Sequence, residues 1–432
     1  MDAAAKRIAS LRKLLAHARE RLGLGFGFVL WDGSTVPEDL ASDALAISIA
    51  DEGAVAALMR RPNTDTLANL WATARLDLRN GTLFDLMRQR PRVRTKQIVR
   101  SLDKWLALDT ARRFAFVARG GPWPLENIKT DRPSRHEIVE DKRNVHYHYD
   151  ASNAFYALWL DENMVYTCAY FHDWNEDIDT AQRNKMDMVC RKLRLKPGET
   201  MIDLGCGWGG LLIYAAQNYG ISGYGVTLAE EQARYAQERI ARLGLADRIR
   251  VDCADYASAK GEYDKVAAIC ILEHVGSDNF ADFYGTVHRL LKPGGLFLNQ
   301  SIARPAKRDD KTFKRKNRDY AMLTKYIFPG GEVDYIGRTA ANLERFGFEV
   351  HDVEGWREHY QRTCRIWHDR LLANRAAAES EVGTVTTRLW LAYLAGCSLG
   401  FERNAVLVFQ TLASRHPRGP SGVPPTRAYM YQ

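Results

Sequence analysis

Cysteine is scarce in this chain and shows no pairing pattern: seven among 432 residues, with no C-x-x-C and no Cys/His spacing of a metal site. An odd, scattered set excludes a disulfide framework and a zinc centre, and makes a reducing cytoplasm the expected compartment. Long apolar runs are missing as well. The longest uncharged stretch lies between Asp203 and Glu230, interrupted by six glycines up to Gly223 and by Gln217, Asn218 and Ser222. It reads as part of a soluble α/β unit and not as a membrane span. Residues 1–20 mix basic and acidic side chains throughout, which excludes a signal peptide. There is no internal repeat and no recognised module for reading nucleic acid.

What is present points to a large folded body with an anionic partner. At 46% hydrophobic residues the chain can bury a sizeable core, and its length suggests two domains. The net charge of +8 leaves acidic membrane and nucleic acid open on charge alone. One basic stretch contains Arg88, Arg90, Arg92, Arg94, Lys96 and Arg100; a second runs from Arg304 through Lys307, Arg308, Lys311, Lys314, Arg315 and Lys316 to Arg318. Such runs are either solvated helix faces or docking faces for anionic phospholipid, where each basic residue contributes about 1 kcal/mol. Nucleic acid is not the expected partner, because no reading module accompanies the charge.

Residues 1–22 predict an amphipathic helix with Ile8, Leu11, Leu14 and Leu15 on one face. Residues 25–87 alternate short apolar runs with turn residues and predict a small mixed α/β domain, so a first domain is expected over 1–90. A basic helix and linker follow over 91–125, broken by Gly120-Gly121-Pro122-Trp123-Pro124. The main domain is expected over 126–412, with Ile366 to Phe401 helical. The Pro- and Gly-rich end, 413–432, is expected to be a flexible tail.

The most informative stretch is Met201-Ile202-Asp203-Leu204-Gly205-Cys206-Gly207-Trp208-Gly209-Gly210. An apolar run stops at an acid, four glycines fall within six positions, and an apolar helical pattern resumes at Leu211. Glycine lets the backbone turn tightly and pass close to a bulky ligand. A strand feeding such a turn into a helix is the nucleotide-cradling element of doubly wound α/β domains. Gly223 to Thr227 reads as the second strand, ending in Thr227 where an acid is usual, with Glu230, Glu231 and Gln232 following. Tyr263 to Ile271 reads as the fourth strand, ending at Glu273-His274-Val275-Gly276. Lys292-Pro293-Gly294-Gly295 turns into a fifth, Leu296 to Gln300. Ligands bind at the carboxyl ends of parallel strands, so Glu273 and Gln300 are expected to face the site.

The order D-x-G-x-G-x-G-G is similar to the S-adenosylmethionine loop of class I methyltransferases more than to the G-x-G-x-x-G dinucleotide fingerprint. The chain further resembles the cyclopropane-fatty-acyl-phospholipid synthases and mycolic acid methyltransferases. The matching residues are His148-Tyr149-Asp150, Tyr166-Thr167-Cys168-Ala169-Tyr170-Phe171, the glycine loop, Gly225-Val226-Thr227-Leu228, Glu273-His274-Val275-Gly276, Tyr326-Ile327-Phe328-Pro329-Gly330-Gly331 and His359-Tyr360-x-x-Thr363. They cover roughly residues 140–412; Phe28-Val29-Leu30-Trp31-Asp32-Gly33 adds a fainter likeness to the family's N-terminal lipid-binding domain. The resemblance implies a doubly wound class I methyltransferase sheet beside a smaller N-terminal α/β domain. It places cofactor contacts at Tyr166, Thr167, Asp203, Gly205, Cys206, Gly207, Gly209, Thr227, Gln232, Asp255 and Tyr256.

Transfer of a methyl group to an isolated cis double bond leaves a cation on the acyl chain, and a proton must then leave before a ring closes. Such a site needs an apolar tunnel, a positioned base and electron-rich faces, for which Tyr166, Tyr170, Phe171 and Tyr326 are candidates. The resemblance implies that the base is a bound bicarbonate held by Cys168, Glu273, Tyr360 and the backbone of Ile302. Where the family commonly reads His-Thr-Ile, this chain reads Gln300-Ser301-Ile302. Glutamine hydrogen-bonds but cannot take up a proton, which leaves a ring and a methyl- or methylene-branched product both open. Thr167 replaces the family's usual serine and keeps the hydroxyl. The expected partners are unsaturated acyl chains and an anionic phospholipid surface, approached from the cytoplasm, with a homodimer compatible. Small-amine N-methylation and a catalytically silent lipid-binding protein are the rival readings.

Overall fold

A computed structural model describes residues 2–89, 103–127, 152–314, 331–416 and 419–431. The chain divides into two compact units, Met1–Lys129 with Gly383–Ala395, and Thr130–Val382 with Gly396–Gln432.

In the first unit, β1 (Gly27–Val29) pairs antiparallel with β2 (Thr35–Val36) and parallel with β3 (Ala46–Ile49), and β3 pairs antiparallel with β4 (Leu76–Arg79). The helix Ala3–Leu22 forms where expected and stops at Gly23 in the left-handed region. Its apolar stripe, Ile8, Leu11 and Leu15, packs on Leu30, Ile49, Val55, Leu70 and Phe114. This unit extends past the expected boundary at residue 90. The helix Lys104–Phe114 contributes Phe114 to its core, and Arg75 holds the carbonyls of Arg119 and Gly120 at 2.7 and 3.3 Å. Residues 103–127 are therefore built into the unit, while residues 90–102 lie outside the described residues.

The second unit carries a seven-stranded sheet. Five strands are parallel neighbours in the order β9 (Leu291–Ala303), β8 (Tyr263–Ile269), β5 (Thr200–Leu204), β6 (Ser222–Thr227), β7 (Ile249–Cys253). β11 (Leu407–Arg415) runs antiparallel between β9 and β10 (Phe348–Gly355). The order reverses beside β5, which puts the topological switch point at the carboxyl ends of β5 and β8. This is the doubly wound class I methyltransferase sheet expected. Its core includes Ile202, Leu204, Val266, Phe283, Tyr284, Val287 and Phe297.

Three details differ from expectation. β8 stops at Ile269 because Cys270 turns left-handed, with φ of 57°. The expected helix over 366–401 is two helices, Arg357–Ala373 and Arg375–Glu402, the second interrupted by non-helical Gly383. The expected flexible tail is instead docked: β11 runs through Arg415, Met430 is buried, and Arg427 pairs with Asp352 at 2.7 Å.

Candidate active site

The loop after β5 is shaped by three glycines with positive φ: Gly205, Gly207 and Gly209 at 79°, 54° and 77°. The backbone N–H groups of Gly205 and Cys206 both donate to the carbonyl of Val226, at 2.9 and 3.0 Å, which anchors the loop on β6. A Cβ on Gly207 would meet nothing within 4 Å, whereas one on Gly205 would lie 3.2 Å from Ile271. The Cys206 side chain points away from that opening, because a Cβ at Gly225 would lie 2.7 Å from its sulfur. Cys206 therefore serves the loop through its backbone.

Asp203, next to last on β5, is almost fully buried, and its Oδ1 has no hydrogen-bond partner among the described residues. Burial pushes its pKa up to about 7, opposed by the nearby Lys185 ammonium. At the end of β6, the Thr227 hydroxyl donates to Gln232 Oε1 at 2.7 Å, a joined pair in the place of the usual strand-end acid. Asp255 accepts the N–H of Ala257 at 2.8 Å and caps a short 3-10 turn. The Tyr256 ring packs edge-on against Phe283, at the margin of the core.

The segment 163–171 crosses the loop. Asn163 O and Val165 lie where a Cβ of Gly210 would be, at 2.7 and 3.1 Å, so close approach requires glycine there. The same segment is pinned from the other side by the helix Arg357–Ala373. His359 Nδ1 accepts from the N–H of Phe171 at 3.0 Å, and Thr363 Oγ1 accepts from that of Ala169 at 3.1 Å. Their i, i+4 spacing sets both acceptors on one helix face. Below the segment, Lys185 Nζ donates to Thr167 Oγ1 at 2.9 Å. Because the ammonium supplies that proton, the Thr167 hydroxyl keeps its own proton to donate to another acceptor. Lys185 is buried near Asp161, Asp203, Cys168 and Cys270; burial pulls its pKa down and those neighbours raise it.

Glu273 stands just past β8 on the short helix Leu272–Val275, and Gln300 and Ile302 lie on β9. The Ile302 N–H donates to Glu273 Oε1. The other carboxylate oxygen, Oε2, is buried without a partner among the described residues, and burial lifts the Glu273 pKa to about 7. Gln300 Nε2 donates to Cys270 Sγ at 3.6 Å, while Gln300 Oε1 accepts from Gln410 Nε2 at 2.9 Å. Cys168 is fully buried and donates to the carbonyl of Ala169 at 3.2 Å. Burial raises the pKa of Tyr360, and Cys270, Cys364, Tyr166 and Cys168 raise it further. Cys168, Glu273, Gln300 and Tyr360, all buried, thus gather around the half-buried Cys270.

The three candidate aromatics among the described residues separate. Tyr166 joins Trp159 and Trp367 at 5.3 and 5.2 Å, beside Tyr360. Tyr170 instead stacks on His359 at 4.6 Å, and Phe171 lies against the same ring at 6.2 Å. Tyr326 and His148-Tyr149-Asp150 lie outside the described residues. Sequence reading missed Lys185, Cys270 and Gln410. Lys185 left one signal: it occupies the buried stripe of the helix Ile178–Lys192, with Ile178, Ala181, Gln182 and Met188, where periodicity calls for an apolar residue.

These residues fit S-adenosylmethionine. The opening at Gly207 leaves room for a bulky group, Asp203 offers a buried carboxylate oxygen, and Thr167 offers a hydroxyl donor. The same test favours a small hydrogen-bond donor at Glu273, whose Oε2 is an unused buried acceptor. Among the described residues no group of His, Cys, Asp and Glu side chains could hold a metal ion.

A family model described as mycolic acid cyclopropane synthetase matches residues 136–411. A probable fatty acid methyltransferase of Pseudomonas putida is 32% identical over 97% of this chain and 99% of its own length. The cyclopropane-fatty-acyl-phospholipid synthase of Escherichia coli K12 is 34% identical over 62% of this chain, which spans 66% of that protein. The solved cyclopropane synthase MmaA2 of Mycobacterium tuberculosis is similar with a TM-score of 0.60 at 28% identity, covering 63% of this chain and 98% of that one. Mycolic acid cyclopropane synthase CmaA1, complexed with SAH and CTAB, is similar with the same score and coverage at 30% identity. With the doubly wound sheet, the glycine loop and these matches in agreement, the chain belongs to the mycolic acid cyclopropane synthetase family and is an S-adenosylmethionine-dependent methyltransferase.

Proposed function

We propose that this enzyme methylates the cis double bond of unsaturated phospholipid acyl chains and closes the product to a cyclopropane, with bicarbonate as base. The observation that carries this reading is Glu273, a buried carboxylate held by the Ile302 N–H with its second oxygen unused. When bound, S-adenosylmethionine supplies the methyl group and bicarbonate supplies the base. The residues of the chain hold and orient. Glu273 Oε2 accepts the hydrogen bond of bicarbonate's own hydroxyl and raises the basicity of its remaining oxygens. The second N–H of the Gln300 amide and the Tyr360 hydroxyl would provide donors around the same anion, and the Cys168 thiol would join them by turning from the carbonyl of Ala169. The new C–C bond leaves a cation on the neighbouring acyl carbon. Loss of a proton from the added methyl then frees its C–H electron pair to form the third ring bond. The Tyr166 ring, near Tyr360, would stabilise that cation if it faces it, where an aromatic face is worth roughly 0.5–2 kcal/mol.

A second reading, a methyl- or methylene-branched chain from the same cation, draws support from Gln300. Its oxygen is engaged by Gln410 and its amide cannot take up a proton. Access to the substrate is proposed from an anionic bilayer on its cytoplasmic side. No helix among the described residues is long and apolar enough to cross a membrane. The test is expression in a host lacking its own synthase, with methyl-labelled methionine and mass spectrometry of phospholipid fatty acids. One added labelled carbon without net saturation establishes acyl modification, and ring-opening derivatisation separates ring from branch. Acyl chains without label overturn the proposal and bring small-amine acceptors forward.

A further inference from the structure

The helix Lys104–Phe114 is apolar on two faces, and only one of them is accounted for. Thr110 and Phe114, at i and i+4, are buried; Phe114 enters the core of the first unit and Thr110 bonds Ser10 at 2.9 Å. The other stripe faces outward. Trp105 and Leu108 are 79% and 41% exposed, Arg112 continues their row at i+7, and Phe116 just beyond the helix is fully exposed. Two exposed aromatics and a leucine on one turn-and-helix surface form a patch that a soluble face does not ordinarily carry.

The charges around the stripe are not balanced. Asp109 is committed to Arg113 at 2.8 Å, and Asp103 caps the helix by accepting from the N–H groups of Trp105 and Leu106. Arg119 is paired with Glu126. Lys104 and Arg112 are exposed beside Trp105 and Leu108, and Arg112 shares the field of the Asp109 carboxylate with Arg113. Aromatic side chains seat at the boundary between headgroups and acyl chains, and flanking lysine and arginine meet anionic headgroups there.

We infer that the Trp105, Leu108 and Phe116 stripe is a bilayer-docking face that lies in the interface of an anionic phospholipid membrane, with Lys104 and Arg112 on the headgroups. The inference rests on the acyl-chain reading above and adds to it the surface through which the enzyme reaches its substrate. A second copy of this chain, or another protein, fits the charge pattern less well, since Lys104, Arg112 and Arg113 outnumber Asp103 and Asp109 around the apolar stripe.

The experiment uses the full chain, its Trp105→Ser/Phe116→Ser double variant and its Lys104→Gln/Arg112→Gln double variant. Each is sedimented with unilamellar vesicles of phosphatidylglycerol or of phosphatidylcholine at two salt concentrations. Parallel measurements of melting temperature and S-adenosylhomocysteine binding keep folding in view. The aromatic variant should lose at least tenfold in partitioning onto phosphatidylglycerol, with melting and ligand binding unchanged. The charge variant should lose most of the salt dependence. Wild-type partitioning by the aromatic variant overturns the inference, as does a change confined to its oligomeric state. If vesicle binding requires the stripe while no acyl chain acquires label, docking stands and the acyl-chain reading fails.

Discussion

Glu273 is the side chain on which the proposed chemistry turns. Its carboxylate is forced into a dry site, stabilised by the Ile302 N–H, and its pKa rises from an ordinary 4.5 to about 7. Between those values the folded protein retains a proton that the unfolded chain has released, so stability falls as pH rises through that window. Glu273→Gln cannot ionise and avoids that loss. Melting curves of the two proteins should converge below about pH 4.5 and separate above pH 7, with the variant more stable by on the order of 3 kcal/mol. The same variant should lose turnover by at least about a hundredfold while S-adenosylhomocysteine binding persists, and unchanged turnover would remove Glu273 from its role. Gln300→His tests the product. If the amide diverts the cation, the histidine should shift branched chain toward ring; an unaltered ratio rejects the idea. Lys185 is a third residue-scale case. Lys185→Met removes the donor that leaves the Thr167 hydroxyl proton free for another acceptor, and titration with S-adenosylhomocysteine should show a loss of about ten- to a hundredfold, the worth of a charge-assisted hydrogen bond. The positions of Glu273 and Gln300 beside strand ends were legible because apolar runs of strand length stop near them. Lys185 was legible only as a lysine on an apolar stripe, since its partner Thr167 is separated from it by 18 residues and a turn of the chain.

At the scale of elements, the β5–loop–helix module depends on how closely backbones approach. Gly225 on β6 has Cys206 Sγ and Leu212 Cδ1 at 2.7 and 2.8 Å from where a Cβ would stand. Gly225→Ala should wedge the loop off β6 and destabilise the protein by about 1–3 kcal/mol, and adding Cys206→Ala should recover part of that loss. Denaturant unfolding of the four proteins of this cycle checks it; additive losses would mean that the two side chains do not meet. The glycine pattern announced a tight loop, yet the direction of the Cys206 side chain could not be read from it. That direction is set by β6, a strand whose pairing with β5 joins residues about twenty positions apart. The same holds for His359 and Thr363. Their spacing marks one face of a helix, but only packing shows that the face grips the backbone of residues 169–171.

For the whole molecule, the division of the chain carries its own consequence. Residues Gly383–Ala395 belong to the first unit although they lie far along the chain. Within that unit Arg388 is buried, donates to the carbonyl of Trp71 at 2.6 Å, pairs with Asp77 at 3.0 Å and lies 4.3 Å over the Trp71 ring. A fragment of residues 1–129 lacks all of these contacts. It should show no cooperative thermal transition by circular dichroism, whereas a sharp transition would show the unit to be complete without the later segment. Sequence reading placed the first boundary at residue 90 and could not have included residues 383–395, because nothing local distinguishes a helix that serves one unit from one that serves another.

Fold class, family, the glycine-rich loop and the ends of the parallel strands can be read along the chain. Those features are local: glycines at fixed offsets, apolar runs of strand length and short ordered motifs. That Ile302 holds Glu273, that Gln410 engages Gln300, that Lys185 bonds Thr167 and that residues near the end are docked follows from packing. Each of these joins residues brought together by sheet order and helix packing, and the protonation of a buried carboxylate follows from that enclosure, which no local pattern of residues encodes.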